Sequence, residues 1–126
     1  MGYYDRYVNV DVLKGKVLKE IRNNGDELVF KTVDGEIYRM YHEQDCCESV
    51  SLEDVVGDLD DLVGSEILIA EEVDGETPVN HKFEYEPDSY TWTFYKFATR
   101  KGYVDLRWLG QSNGYYSESV SFVKEV

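Results

Sequence analysis

The chain has 126 residues, 42% of them hydrophobic, and carries a formal charge of −13 from 26 acidic and 13 basic side chains. That length suits one domain with one core, and the composition is that of a folded chain rather than a disordered one. No apolar run approaches the roughly 20 residues of a membrane-spanning helix, and Met1-Gly2-Tyr3-Tyr4-Asp5 lacks the basic and apolar parts of a signal peptide, so a cytoplasmic protein with no membrane contact is expected.

Residues 1–12 are Tyr-rich without a clear period and read as an N-terminal arm, leaving 13–126 as a single domain. From Lys16 to Tyr41 the pattern is that of a three-stranded meander. Val17, Lys19 and Ile21 alternate with Leu18, Glu20 and Arg22; Asn23-Asn24-Gly25-Asp26 turns the chain. Leu28 to Val33 follows as a strand, Asp34-Gly35 is a strong hairpin signal, and Glu36 to Tyr41 returns.

His42 to Val50 is polar and lacks a steady period. Ser51-Leu52-Glu53-Asp54 resembles a helix start, with a capping hydroxyl and early acids. Leu52, Val55, Val56, Leu59, Leu62 and Val63 recur at spacings of three and four, which predicts an acidic helix that Gly57 and Gly64 weaken or end, as one broken helix or two short ones. Glu66 to Val73 reads as a strand and Asp74 to Ser89, with Gly75, Pro78 and Pro87, as a loop. Tyr90 to Thr99, Tyr103 to Leu109 and Tyr115 to Val123 form a second predicted meander, turned at Lys101-Gly102 and Gln111-Ser112-Asn113-Gly114. In the last of these strands Tyr116, Glu118, Val120 and Phe122 share one face. The expected fold class is α+β: mostly antiparallel sheet in two meanders, with the acidic helix between them.

The charge is concentrated. Between Met40 and His81 there is no Lys or Arg, while 13 acids fall there, from Glu43 to Glu76; the rest of the chain has 13 acids against 13 bases. Phosphate-driven nucleic-acid binding needs cations, so direct nucleic-acid contact is not expected. A partner with a basic surface is. The residues expected to form that acidic binding surface are Glu43, Asp45, Glu48, Glu53, Asp54, Asp58, Asp60 and Asp61.

Two segments also carry a family likeness. Tyr41-His42-Glu43-Gln44-Asp45-Cys46-Cys47-Glu48-Ser49-Val50, with Glu53-Asp54 and Gly57-Asp58-Leu59-Asp60-Asp61-Leu62-Val63-Gly64, forms the first. Thr91-Trp92-Thr93-Phe94-Tyr95-Lys96, Gly102-Tyr103, Arg107-Trp108 and Gly110 to Ser117 form the second. Together they resemble a family of small uncharacterised proteins encoded by bacteriophages, over nearly the whole chain after about Val12. The resemblance implies a phage accessory protein acting in the host cell and assigns no site residue.

The residues themselves raise three chemistries. Cys46 and Cys47 beside His42 raise nucleophilic catalysis, yet the surrounding acids disfavour a thiolate. Adjacent cysteines are poor joint zinc ligands and no disulfide framework is implied; one is expected to be buried as a small hydrophobe. Asp58-x-Asp60-Asp61 misses calcium-loop spacing, because Leu62 and Val63 occupy the next ligand and glycine positions. No metal or other cofactor is therefore implied, and a binding protein is favoured over an enzyme. The leading expectation is an inhibitor of a host or antiviral-defence protein acting by stoichiometric binding. The alternative is sequestration of a small nucleotide-derived signal, in a pocket of His42, Cys46, Trp92, Tyr95, Lys101, Arg107, Trp108, Asn113 and Tyr115 that subunits of a homo-oligomer would often share.

Overall fold

A computed structural model describes residues 7–44, 46–74, 88–114 and 116–125. Its strands are β1 (Leu18–Asn23), β2 (Glu27–Thr32), β3 (Ile37–Tyr41), β4 (Ser49–Val56), β5 (Ile69–Asp74), β6 (Ser89–Thr99), β7 (Gly102–Ser112) and β8 (Ser121–Glu125). They form two four-stranded sheets in the orders β1-β2-β3-β8 and β4-β7-β6-β5. Every pairing within the sheets is antiparallel.

The first meander forms where local turn chemistry dictates it. Gly35 takes φ 92° between β2 and β3, a conformation that costs glycine little. Leu28, Phe30 and Thr32 alternate inward on β2, as do Tyr38 and Met40 on β3. The second sheet answers with Tyr95 and Phe97 on β6 and Val104, Leu106 and Trp108 on β7. The layers meet directly: the Phe30 and Phe97 rings are 5.8 Å apart, and the Trp108 indole Nε1–H donates to Met40 Sδ at 3.2 Å. Val10 and Leu13, on a 3-10 turn at Val10–Leu13, are also buried in this core, and the Val8 amide donates to the Phe122 carbonyl. Of the expected N-terminal arm, Tyr7 to Val12 thus lie against the domain.

Among the described residues the only helical pieces are this turn and a second 3-10 turn at Leu59–Leu62. The acidic helix expected from Ser51 onward is therefore corrected to an edge strand followed by that turn, and the mixed α+β class to a mostly antiparallel two-sheet fold. The reason is a β-bulge. Leu52 opposes Trp108 and Asp54 opposes Arg107, so Glu53 is an extra residue in β4. Leu52 and Val55 then both pack on the core at a spacing of three. Leu59 and Leu62 add another such step from the 3-10 turn. A bulged strand followed by a tight turn reproduces a helical apolar spacing.

The second expected meander is also redrawn. β8 begins at Ser121 rather than Tyr115 and pairs with β3, not with β7. The chain thus crosses between sheets twice side by side, through 42–48 (β3 to β4) and 113–120 (β7 to β8). Most of the loop expected from Asp74 to Ser89 lies outside the described residues. No helix among the described residues is long and apolar enough to cross a membrane.

Candidate functional site

The eight acids expected to form one surface are divided by the fold. Glu53 and Asp54 lie exposed on β4, an edge strand of the second sheet. Asp58, Asp60 and Asp61 follow at the end of the same sheet. Asp58 caps the 3-10 turn by accepting from the Asp60 amide at 2.9 Å. The Asp61 carbonyl accepts from the Thr99 hydroxyl, which pins the turn over the β6–β7 hairpin. These five carboxylates form a border along one edge and one end of the sheet. Glu43 sits apart, at the crossover end, where it accepts from the hydroxyls of Tyr7 and Tyr41. Asp45 lies outside the described residues.

Glu48 does not belong to a surface at all. Its side chain is fully buried, because β4 starts here and draws it between the two crossovers. Glu48 Oε2 lies 2.7 Å from His42 Nε2, and the other imidazole nitrogen, Nδ1, lies 2.6 Å from the Ser119 carbonyl oxygen. A carbonyl can only accept, so Nδ1 carries its hydrogen, and the Nε2···Oε2 contact holds one proton more. Glu48 Oε1 accepts from the Cys46 amide at 2.9 Å and from Gln44 Nε2 at 3.2 Å. His42, Gln44 and Cys46 are thereby gathered around one carboxylate, and His42 ties them to the second crossover.

Ion pairing of the glutamates differs between the sheets, although Asp26 and Asp34 in the turns of the first are unpaired too. On the first, Glu20 meets Arg22 and Lys31, Glu36 meets Lys16 and Lys124, and Arg39 meets both Glu27 and Glu125. The two lysines hold the Glu36 carboxyl down at about 2, Lys124 contributing most. On the second sheet, among the described residues, Asp54 pairs with Arg107 at 3.3 Å. Glu53, Asp58, Asp60, Asp61 and Glu71 have no lysine or arginine partner there.

The nine residues of the expected ligand pocket do not converge. Adjacent strand residues point to opposite faces, so Trp108 fills the core while Arg107 faces outward beside Asp54. Trp92 lies on the outer face next to Phe94, whereas Tyr95 points inward. Lys101 Nζ donates to the Val63 carbonyl at the far end of the sheet. Asn113 is exposed past β7, and Tyr115 lies outside the described residues. Cys46 is exposed and joined to Cys47, which is exposed too, correcting the expectation of a buried thiol. Among the described residues no three His, Cys, Asp or Glu side chains converge to hold a metal.

Sequence reasoning missed a cleft beneath the second crossover. Residues 116–120 run across the inner face of β6 and β7, where Gly110 makes room: a Cβ there would sit 2.6 Å from the Glu118 carbonyl oxygen. Burial works against charge on Glu118, but hydrogen bonds from Ser112, Thr91 and Ser89 outweigh it and hold its carboxyl below the ordinary range. A hollow of about 340 Å³ opens beside it, lined among the described residues by Ser89, Thr91, Thr93, Glu118, Ser119 and Glu72, among others. The alternation of Tyr116, Glu118, Val120 and Phe122 was the available signal, but it does not disclose which strand they approach.

The family described as Domain of unknown function (DUF7448) matches residues 11–122, and the chain belongs to it. No curated protein and no solved structure matches the chain.

Proposed function

We propose that this member of the DUF7448 family is a phage accessory protein that binds a basic host or defence protein stoichiometrically, without catalysis, and so inhibits it. The supporting observation is the uneven ion pairing. The glutamates of the first sheet, Glu20, Glu27, Glu36 and Glu125, are each paired with a lysine or arginine, and its unpaired acids Asp26 and Asp34 sit one to a hairpin turn, whereas Glu53, Asp58, Asp60 and Asp61 gather along the border of the second sheet without cationic partners among the described residues. Unscreened negative charge along one edge steers a basic surface and fixes its orientation. The phage context rests on the likeness of the two segments quoted above.

The immobilised chain, exposed to host lysate at low and at high salt, tests this reading. One basic protein retained in near-equal amount at low salt and released at high salt supports it. No protein retained in either condition overturns it. Sequestration of a nucleotide-derived signal has no comparable support, because Arg107 and Trp108 face opposite sides of their sheet.

A further inference from the structure

We infer that Cys46 and Cys47 are a site of reversible thiol–disulfide exchange with a dithiol, and that the state of the pair sets how firmly the two sheet crossovers are held to one another. The inference is independent of the acidic border, since it uses none of those residues.

The two cysteines are neighbours in the first crossover, both are exposed, and their sulfurs are joined. A bond between neighbours closes no long loop, so it restricts the unfolded chain little and is a poor structural staple. Its restriction is local. The ring it closes contains the 46–47 peptide bond, and that peptide is held by the buried cluster. Its carbonyl, that of Cys46, accepts from Gln44 Nε2 at 3.2 Å. The same Gln44 amide group donates to the Glu48 carbonyl at 2.6 Å and to Glu48 Oε1 at 3.2 Å. On the other side of Cys46, its own N–H donates to Glu48 Oε1 at 2.9 Å. From Glu48 the contacts continue through His42 to the Ser119 carbonyl of the second crossover. An exposed, reducible bond therefore abuts the contacts that join the crossovers.

The exchange balances with a dithiol as co-reactant. A thiolate of the dithiol attacks one of the two sulfurs, the Sγ–Sγ bond breaks, and the displaced sulfur takes up a proton. The dithiol's second thiol then attacks the mixed disulfide and releases the other cysteine as a thiol. Two electrons and two protons have passed to the protein, and the dithiol leaves as its own disulfide. The attacking sulfur must be able to reach the bond, and both cysteines are open to solvent. Once the ring is open, the 46–47 peptide regains rotational freedom. Aiming its carbonyl at Gln44 and the Cys46 N–H at Glu48 then costs conformational entropy that the closed ring had already removed. The bonds around Glu48 weaken, and with them the tie through His42 to Ser119.

The test compares the full chain after mild oxidation and after incubation with dithiothreitol. The oxidised chain should carry no alkylatable thiol and no intermolecular disulfide, and should be about 2 Da lighter than the reduced chain, which takes up an alkyl group at both cysteines. Hydrogen exchange should be about threefold or more faster in the reduced form at Cys46, Glu48 and residues 116–120, and equal in the two forms at Leu28 and Phe30 on β2. The His42 Nδ1–H resonance should be sharp in the oxidised form and broadened in the reduced one. Cys47→Ser, which has no bond to close, should exchange like the reduced form and lose the response to dithiothreitol. Thiols that stay alkylatable after oxidation, or a disulfide-linked dimer, would overturn the inference. So would equal exchange in the two forms, or an increase that extends over β2, which marks a general loss of stability rather than a loosened tie.

Discussion

His42 and Glu48 form a buried pair that holds the two sheet crossovers together. The imidazole is 4% exposed, the carboxylate is fully buried, and they meet at 2.7 Å. Removing one partner of a buried pair strands the other, which typically costs about 3–5 kcal/mol. His42→Ala is therefore expected to lower unfolding free energy by about 3 kcal/mol in urea melts. Glu48→Gln, which keeps an acceptor, should cost about 1–2 kcal/mol. A loss within the noise for His42→Ala would show that the crossovers hold without the pair.

Gly110 is required by packing rather than by backbone conformation. Its missing side chain admits the Glu118 backbone, which a Cβ would meet at 2.6 Å. Because the obstacle is main chain, it cannot rotate away. Gly110→Ala should destabilise the protein by about 1–3 kcal/mol and raise hydrogen exchange across residues 116–120. Wild-type stability in that variant would mean the crossover can shift at no cost.

Glu36 links β3 to Lys16 and Lys124, at 2.6 and 2.8 Å. Its folded pKa of about 2 lies below its ordinary value of 4.5. A depressed carboxylate adds stability above the ordinary value, and that stability is lost as pH falls toward the folded one. Denaturation midpoints should accordingly fall between about pH 4.5 and pH 2, and Glu36→Gln should flatten that limb while leaving the slope at higher pH unchanged. Identical acid limbs for both proteins would remove Glu36 from the account. Glu36 is partly exposed, so the effect should shrink in high salt.

The elements legible in the sequence are those fixed by neighbours in the chain. Asp34-Gly35 and Lys101-Gly102 announce their hairpins, and β2, β3, β6 and β7 follow from alternation beside them. What was not legible depended on distant partners. The bulge at Glu53 exists because β4 pairs with β7 from the edge, and it turned a strand into an apparent helix. β8 reads as the next strand of its own meander, yet its register is with β3, eighty residues earlier in the chain. The acidic segment was visible as composition. Which acids are buried, such as Glu48, and which border an edge, such as Glu53, follows only from the sheet order. The Glu72–Glu118 cleft, built from β5, β6 and a crossover, left no local pattern.

The proposed binding depends on where the negative charge lies rather than on its total. Two quadruple neutralised variants separate these: Glu53→Gln, Asp58→Asn, Asp60→Asn and Asp61→Asn on the second-sheet border, against Asp11→Asn, Glu20→Gln, Asp26→Asn and Asp34→Asn elsewhere. Both carry the same net charge. Calorimetric affinity for the basic protein retained from lysate should fall at least tenfold in the border variant and by much less in the other. Equal losses in the two variants, or no loss in the first, would contradict the account.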